Sequence, residues 1–471
     1  MPFLFIGIPL VATVILNALF SWIDHRATLW AALSAALVQM GLAAHCLARC
    51  FTQGGEITSS FLGDFTVDAF GAAVLFIIGM VAAVTIVVAG ETVHVSRFTF
   101  GSGVLLIMMG MNGVVMVRDI FSLYVFIEAV SVSSFLLIAI NKKRNELEGA
   151  FKYYLMSALA TTMMLLATAL IFALVGDTSY EAIALFAASQ SGDPNIMLRV
   201  VFLLLATALL VKSGAVPFHT WVPDAHSSAP SPVSVLLAGI VIKVSGVYAL
   251  MRVYRDVLLN DPSLGRVFLI LGFVSIITGA LGAIGQSDIK RMLAFSSVSQ
   301  IGYIIMGLAT GSPLGFIGAI AHFFNHASFK SLLFVDAAAI AEQTGTRDMT
   351  KMGGLAKRMP FTGASSVIGL LSMSGIPPLS GFWSKLLIVL ALWRVSVPLA
   401  VAVLCTSALS LTYFLILQKK VFFGKTAPAM ETVEECSPRL RFVQVVLSAI
   451  NLGTGILFPA VLVLLQGRGL I

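Results

Sequence analysis

Long apolar runs separated by short polar segments dominate this 471-residue chain. A helix needs about 20 mostly apolar residues to cross the hydrocarbon core of a bilayer, and fourteen such runs can be placed. The alternation typical of barrel strands is missing from these runs, so we expect each to be a transmembrane helix. The predicted spans are 3–20, 27–49, 67–90, 100–117, 119–141, 150–175, 197–221, 232–253, 265–285, 292–310, 313–340, 361–391, 396–418 and 442–466.

The composition supports the same fold class. Hydrophobic residues make up 58% of the chain and charged residues only 11%, whereas an ordinary soluble domain carries about 25% charged residues. This excludes a soluble multidomain enzyme, a disordered chain and a collagen-like chain. We therefore predict an all-α polytopic membrane protein whose main solvent is lipid.

The positive net charge of +7 concerns membrane orientation rather than nucleic-acid binding. Cytoplasmic loops of membrane proteins carry an excess of Lys and Arg. With the N-terminus outside, most loop Lys and Arg fall in the loops that face the cytoplasm, so both termini are predicted outside. The expected location is the cytoplasmic (inner) membrane of a bacterium or archaeon. The first 22 residues lack a basic region and a small-residue cleavage site, which favours an uncleaved first span.

The four cysteines give no sign of a disulfide framework or a metal site. Cys46 and Cys50 follow each other at the end of one apolar run, Cys405 lies within another, and Cys436 lies in a polar loop. We expect all four to be structural or incidental.

A few ionisable residues interrupt the apolar runs, and they are the most informative positions. Each costs about 2.5–3.5 kcal/mol at the bilayer centre, so they are expected to face the protein interior, water or one another. A desolvated lysine can lose its proton, whereas arginine stays charged. Glu128 is the one clear carboxylate among them. We expect Glu128 and Lys212 to form a pair that loads and releases a proton; the alternative is a static ion pair that fixes helix packing. The residues are Glu128, Lys212, Lys243, Lys330 and Lys385.

The eleventh predicted span carries a second titratable group of residues. His322, His326 and Lys330 recur at i, i+4 and i+8, which places them on one helix face. Histidine titrates near neutrality and can pass a proton through both ring nitrogens. Histidines at i and i+4 are also good metal or haem ligands. The lysine one turn further on favours a proton relay, because a cation beside a metal is unfavourable.

Two of the predicted spans are interrupted in a similar way. LLVKSGAVPFHTWVPDAH (209–226) and LLSMSGIPPLSGFWSKLLIV (370–389) each contain Gly and Pro in mid-run. Irregular backbone within a membrane is tolerated only where it is buried in protein or lines a water-filled cavity. Lys212 precedes the first break and Lys385 follows the second, a pairing that indicates inverted repeats and an ion path. The residues assigned to the breaks and the channel are Pro217, His219, Asp224, Pro377 and Pro378.

The predicted organisation follows from these two breaks. Spans 4–8 and 9–13 form two inverted five-helix repeats, with broken helices 7 and 12. The expected segments are an N-terminal three-helix segment, 1–95, the first repeat, 96–256, the second repeat, 262–425, and a C-terminal span, 426–471.

Four ordered motifs resemble the antiporter-like proton-translocating subunits. These subunits occur in respiratory complex I, in Mrp-type cation/proton antiporters and in membrane-bound [NiFe]-hydrogenases. The motifs are 218–250, DIKRMLAFSSVSQIGY (288–303), HFFNHASFK (322–330) and SGIPPLSGFWSK (374–385), and the resemblance covers about 65–425.

The resemblance implies a fourteen-helix core with a hydrophilic axis through the membrane centre. It implies membrane partners, namely homologous antiporter-like subunits and small helical subunits, with a peripheral redox arm in the redox-driven complexes. Length and a lysine at position 385 make the chain similar to the short members of the superfamily. Matched by position, the proton-translocating residues are Glu128, Lys212, Lys243, His322, His326, Lys330 and Lys385, and those at the cytoplasmic entrance are Asp288, Lys290 and Arg291.

The sequence thus predicts a proton-translocating subunit of a redox-driven or Mrp-type complex, itself non-catalytic. A usable G-x-G-x-x-G or a Cys cluster is missing, so we expect no cofactor and no metal in this chain. Two other functions remain open at this point. One is a self-sufficient cation/proton antiporter, and the other is a membrane oxidoreductase with haem or metal on His322 and His326.

Overall fold

The computed structural model describes residues 1–19, 25–59, 64–93, 97–189 and 196–467. Within these ranges the chain is almost wholly helical. The α-helices are α1 Leu4–Ala18, α2 His25–Gln53, α3 Ala69–Thr92, α4 Arg97–Met116, α5 Ile120–Ile138, α6 Arg144–Val175, α7 Tyr180–Ser189, α8 Ile196–Ser213, α9 Trp221–Ser228, α10 Ser231–Leu236, α11 Ala249–Asp256, α12 Pro262–Ile284, α13 Ile289–Ala309, α14 Pro313–Thr344, α15 Pro360–Ser374, α16 Ser380–Trp393, α17 Val397–Leu417 and α18 Pro438–Gly467.

Every predicted apolar run coincides with one or two of these helices. Eleven helices in the described part of the chain are long and apolar enough to cross a membrane. The prediction of an all-α polytopic membrane protein is confirmed. The count of fourteen crossings and the inverted repeats stay predictions. The predicted boundary between residues 95 and 96 and the predicted outside position of the last residues, 468–471, lie outside the described residues.

The two predicted helix breaks are present. The helix α8 ends at Ser213 and α9 begins at Trp221, while α15 ends at Ser374 and α16 begins at Ser380. A glycine with positive φ follows the last residue of each leading helix, and a proline follows within four residues. Proline lacks the N–H that would continue the helix, and glycine accepts the left-handed conformation, so the chain leaves the helix at both places.

Similar local features recur in the two halves of the sequence. Asp119 and Asp288 each accept a hydrogen bond from the backbone N–H three residues on and so cap α5 and α13. Each also forms a short bridge with the segment that follows a 32-residue helix, Asp119 with Ser179 and Asp288 with Asp348. Both 32-residue helices, α6 and α14, end at a left-handed glycine. Two copies of one five-helix unit would share such features.

The chain divides into two compact units, and one boundary between them, after Gly214, lies at the first break. One unit contains Met1–Gly214 and Ile240–Asp261, and the other contains Ala215–Gly239 and Pro262–Ile471. Lys212 therefore belongs to the first unit, whereas the segment after the first break belongs to the second. The repeat ranges predicted from the sequence remain a separate prediction.

The helix Ser231–Asp256 changes its winding near the buried Lys243, in the part from Ile240 onward that belongs to the first unit. It continues from α10 through two π-helical segments, Leu237–Val241 and Lys243–Tyr248, into α11. A Cβ atom added at Gly246 would lie 2.4 Å from the backbone nitrogen of Ser213. The absence of a side chain at Gly246 therefore lets the π segment that carries Lys243 pack backbone against backbone on the end of α8.

The Gly246→Ala variant tests this close approach. The added methyl group has no space, and overpacking of this kind costs about 1–3 kcal/mol. We expect a lower thermal unfolding midpoint in detergent. Gly41→Ala is the matched control, because Gly41 is also within a helix of the first unit but has no atom within 4 Å of its added Cβ. Equal midpoints for the two variants would contradict the packing described here.

Two small elements were not predicted from the hydrophobic pattern. A two-stranded antiparallel hairpin pairs Ile57–Ser59 with Phe65–Val67, and the ten-residue helix α7 lies between α6 and α8. Strands of three residues are too short to show a period of two. A ten-residue apolar helix is too short to read as a span.

Candidate functional site

Lys212 lies in the last turn of α8 and is held by two serine hydroxyls. Its side chain is buried, with 5% exposure. The Nζ atom donates to Ser131 Oγ on α5 at 2.5 Å and to Ser157 Oγ on α6. Neutral oxygens thus solvate the ammonium group without fixing it as a strong ion pair would.

The predicted pairing of Glu128 with Lys212 has a looser geometry than a salt bridge. Glu128 lies one turn before Ser131 on α5, so both side chains share a helix face. The carboxylate interacts electrostatically with Lys212, but the two groups do not come within 4.0 Å among the described contacts. The buried Oε2 atom of Glu128 accepts no hydrogen bond in this structure. Glu128 Oε2 is therefore a hydrogen-bond acceptor without a donor, and it lies near a lysine whose Nζ binds Ser131 and Ser157 instead.

The hydroxyl of Tyr153 completes this polar cluster, and sequence reasoning missed it. Tyr153 is buried on α6, one turn before Ser157. It interacts with the hydroxyls of Ser131, Ser134 and Ser157. A signal was available, because polar residues recur at i and i+4 within the apolar run that forms α6.

Lys243 is buried in the same unit, with 1% exposure. It begins the second π segment, three residues before Gly246. The close approach at Gly246 fixes the backbone of this segment against the end of the helix that carries Lys212. The first unit therefore contains Glu128, Lys212 and Lys243.

In the second unit, His322 is held through both ring nitrogens. Nδ1 lies 2.9 Å from Ser384 Oγ on α16, and Nε2 lies 3.2 Å from Gln300 Oε1 on α13. The ring stacks on that of His326, with centroids 6.3 Å apart and planes 13° from parallel. A histidine bonded on both sides can accept a proton at one nitrogen and release one from the other.

Lys330 continues this helix face, as the spacing predicted. Its Nζ donates to the Leu293 carbonyl at 2.8 Å and to Ser296 Oγ at 2.5 Å, both on α13. His326 lies one turn earlier, and its ring contacts that of Phe329 edge-on at 5.3 Å. The helix α14 thus carries His322, His326 and Lys330 as buried titratable side chains at successive turns.

Lys385 binds a backbone carbonyl at the second helix break. Its Nζ donates to the carbonyl of Ser374, the last residue of α15, at 3.3 Å. It also lies 4.5 Å from the ring centroid of Tyr303, a cation–π distance. Because α15 stops at Ser374, that carbonyl is free of the helix ladder and can bind the lysine. The neighbouring residue, Ser384, is the one that contacts His322.

The residues predicted at the cytoplasmic entrance anchor loops. Asp288 caps α13 and pairs with Arg347 at 3.4 Å. Arg291 pairs with Asp224, after the first break, at 2.5 Å. Lys290 is buried and donates to a backbone carbonyl, that of Ala229, at 2.6 Å. These contacts position the backbone that follows the first break.

The remaining residues assigned to the breaks shape the backbone or pack against it. The Val216–Pro217 and Pro377–Pro378 peptide bonds are both cis. The His219 ring lies edge-on to Phe295, with centroids 6.4 Å apart.

The interpretation of Glu128 as the one carboxylate within the spans was wrong. Asp336, inside the predicted span 313–340, is a second one, with 2% exposure. It lies on α14, six residues after Lys330, and accepts hydrogen bonds from Ser365 and Gln444. Asp336 lies four residues before the end of that predicted span, and the hydrophobic pattern alone does not show that its side chain is buried.

Within the described ranges, no group of three or more His, Cys, Asp or Glu side chains could hold a metal ion. The buried thiol of Cys436 donates a hydrogen bond to Gln444 Oε1 at 3.5 Å. Burial raises the pKa of the Cys436 thiol to about 12. This thiol therefore stays protonated and unreactive at neutral pH.

Comparisons with known proteins agree with the fold. The family described as "NADH:quinone oxidoreductase/Mrp antiporter, TM" matches residues 117–410. NADH-quinone oxidoreductase subunit N of Desulforudis audaxviator is 34% identical over 342 residues, 72% of this chain and 68% of that protein. A Na(+)/H(+) antiporter subunit of Alkalihalophilus pseudofirmus is 32% identical over 329 residues, 69% of this chain and 66% of that protein.

A solved structure shares the fold over nearly the whole chain. In the Mrp complex from Dietzia sp. DQ12-45-1b, one subunit superposes with a TM-score of 0.89 at 24% identity, covering 98% of this chain and 94% of its own. The family match spans more than half of the sequence and includes both helix breaks and the residues from Glu128 to Lys385. The chain belongs to the NADH:quinone oxidoreductase/Mrp antiporter family of membrane subunits.

Proposed function

We propose that this chain is a proton-translocating subunit of a multi-subunit membrane complex. The observation that carries the proposal is the placement of Lys212 and Lys385. Each is buried beside a helix break, and each is bound by neutral oxygens rather than by a carboxylate within 4.0 Å. A lysine so placed can lose and regain its proton, because the charged form lacks a close counter-ion.

In the first unit, Glu128 controls the proton on Lys212. When the two groups approach, the carboxylate stabilises the ammonium form. When Lys212 returns to Ser131 and Ser157, that stabilisation weakens and the proton can leave. Lys243 is the proposed next acceptor, because the contact at Gly246 holds its segment against the end of α8.

In the second unit, the histidine face of α14 leads toward the second break. Protons would pass through His322, His326 and Lys330 and leave by Lys385. Ser384 contacts His322 and precedes Lys385 on α16, so it connects the histidine face with the helix that carries Lys385. The uptake side is the cytoplasm, and the membrane is proposed to be the cytoplasmic (inner) membrane with both termini outside.

The driving force is proposed to come from neighbouring subunits. A redox-driven complex would supply it by electron transfer, and an Mrp-type complex by a counter-ion gradient. In either case this chain performs no redox chemistry itself and carries no cofactor. Its proposed partners are homologous antiporter-like subunits and small helical subunits, with a peripheral redox arm in the redox-driven case.

The proposal is tested by comparing the isolated chain with the assembled complex in liposomes that contain a pH-sensitive dye. We expect proton movement from the complex and none from the chain alone. Exchange of Na⁺ for H⁺ by the purified chain at the rate of the complex would instead identify a self-sufficient antiporter.

Absorbance and metal analysis of the purified chain test the oxidoreductase alternative. His322 is already bonded through both ring nitrogens to Ser384 and Gln300, so a metal would have to displace one of these partners. We expect no haem absorbance and no stoichiometric iron, copper or zinc. One equivalent of haem or metal that is lost in His322→Ala would overturn the relay.

A further inference from the structure

Asp336 is a buried carboxyl group that the proposed route does not use. It lies on α14, six residues beyond Lys330, or about 9 Å along the helix axis. The residues around it come from α15 and α18, and all of them belong to the second compact unit. It is therefore close to the histidine and lysine face without being part of it.

The two oxygens of Asp336 have different surroundings. Oδ1 accepts hydrogen bonds from Ser365 Oγ and from Gln444 Nε2, the latter at 3.0 Å. Oδ2 is buried and has no hydrogen-bond partner in this structure. No Lys, Arg or His of the described chain lies within 4.0 Å of the carboxyl group. A charged carboxylate is costly in such surroundings, whereas a proton on Oδ2 removes the charge and leaves both bonds to Oδ1 intact.

A chain of hydrogen bonds connects this carboxyl group to the loop before α18. Gln444 Nε2 also donates to Thr362 Oγ1 at 3.2 Å, and Thr362 Oγ1 donates to Glu435 Oε1 at 2.7 Å. Glu435 is half-buried, and its other oxygen accepts from the Phe361 N–H at the start of α15. The titratable groups that face Asp336 are thus Glu435 and the thiol of Cys436, neither of which is a cation.

We propose that Asp336 is a proton-binding site on a branch that connects the loop of Glu435 with the relay on α14. The proposal rests on the proposed function of the chain. A proton from a hydronium ion in water on the Glu435 side adds to Asp336 Oδ2, so one O–H bond of that ion breaks and one forms on the carboxyl group. The proton later leaves to a ring nitrogen of neutral His326 or to the amine of neutral Lys330, which restores the carboxylate. The distance from Asp336 to Lys330 is about 9 Å along the helix axis, so this transfer requires bridging water molecules.

The alternative role for Asp336 is purely structural, as a hydrogen-bonded contact that holds α14, α15 and α18 together. Such a contact needs only the acceptor at Oδ1, which asparagine also offers to Ser365 and Gln444. A proton-binding site needs a carboxyl group. The Asp336→Asn variant separates the two roles, because it keeps the hydrogen bonds and removes the titration.

The first measurement is infrared difference spectroscopy of the assembled complex between low and high pH. A protonated carboxyl group gives a C=O stretching band that disappears on ionisation. We expect one such band to be missing from Asp336→Asn and retained in Glu435→Gln, a control with a carboxyl group on the same network. An unchanged set of carboxyl bands in Asp336→Asn would overturn the proposal.

The second measurement is proton translocation by the same complexes in liposomes. We expect Asp336→Asn to lower the rate about tenfold or more with assembly intact, because a positioned proton-transfer group contributes about 10²–10⁴-fold, and Asp336→Glu to retain most of it. Full translocation in Asp336→Asn would show that the residue has only the structural role and would overturn the proposal. If the wild-type complex moves no protons, the proposed function fails, while the infrared result still decides whether Asp336 binds one.

Discussion

Replacement of Lys212 by methionine is expected to abolish proton translocation by the assembled complex. Methionine has a similar length and flexibility but carries no proton, so the exchange with Glu128 is lost. We expect a fall of at least about 10²-fold, the low end of what a positioned proton-transfer group contributes. The rate is measured with a pH-sensitive dye in liposomes that contain the complex.

The stability of Lys212→Met should change little or rise. The substitution removes a buried charge, and apolar replacement of buried ionic groups is often neutral or stabilising. The matched control is Lys152→Met, because Lys152 is a half-exposed lysine on α6 that pairs with Glu148 on the helix surface at 2.8 Å. Normal translocation in Lys212→Met, or an equal loss in Lys152→Met, would contradict the role assigned to Lys212.

Replacement of Lys385 by methionine is expected to block release of protons in the second unit. The variant loses the bond to the Ser374 carbonyl and the contact with the Tyr303 ring. We expect translocation to fall by at least about 10²-fold, with the subunit still present in the purified complex. Lys351→Met is the matched control in the same unit, because the Lys351 side chain is 71% exposed.

The Lys385→Arg variant separates proton exchange from a fixed positive charge. Arginine can stack on Tyr303 and bind the Ser374 carbonyl, but it stays protonated. If Lys385 serves as a proton donor and acceptor, Lys385→Arg is as inactive as Lys385→Met. Recovery of most of the activity in Lys385→Arg would show that a permanent cation is enough there.

The helices and their breaks could be predicted from the sequence because lipid restricts the alternatives. Backbone groups in hydrocarbon must bond within their own helix, so a long apolar run has one outcome. The Gly and Pro residues after Ser213 and Ser374 prevent the helix from continuing, and α8 and α15 end there. The helical periodicity likewise placed His322, His326 and Lys330 on one face.

The partners of the buried lysines could not be predicted in the same way. Whether Lys212 contacts Glu128 or two serines depends on how α5, α6 and α8 rotate against one another, and helical spacing describes only one helix at a time. The close backbone contact at Gly246 and the hydrogen bonds around Asp336 also depend on packing between helices. The assignment of Glu128 as the sole carboxylate was wrong for the same reason, because the burial of Asp336 depends on the helices that pack around it.

The division of the chain into units was also beyond the sequence pattern. The boundary after Gly214 separates Lys212 from the last part, 215–221, of its own predicted span. Hydrophobic periodicity reports burial against any neighbour, so it does not tell which helices pack together.

The number of protons moved per turnover of the assembled complex in sealed liposomes tests the proposed proton path most directly. The wild-type complex is compared with complexes that carry Lys212→Met or Lys385→Met and with the Lys152→Met control. A path through both buried lysines predicts a number near zero for both variants and the wild-type number for the control. An unchanged number in both variants, in complexes shown to contain the subunit, would contradict a proton path through this chain.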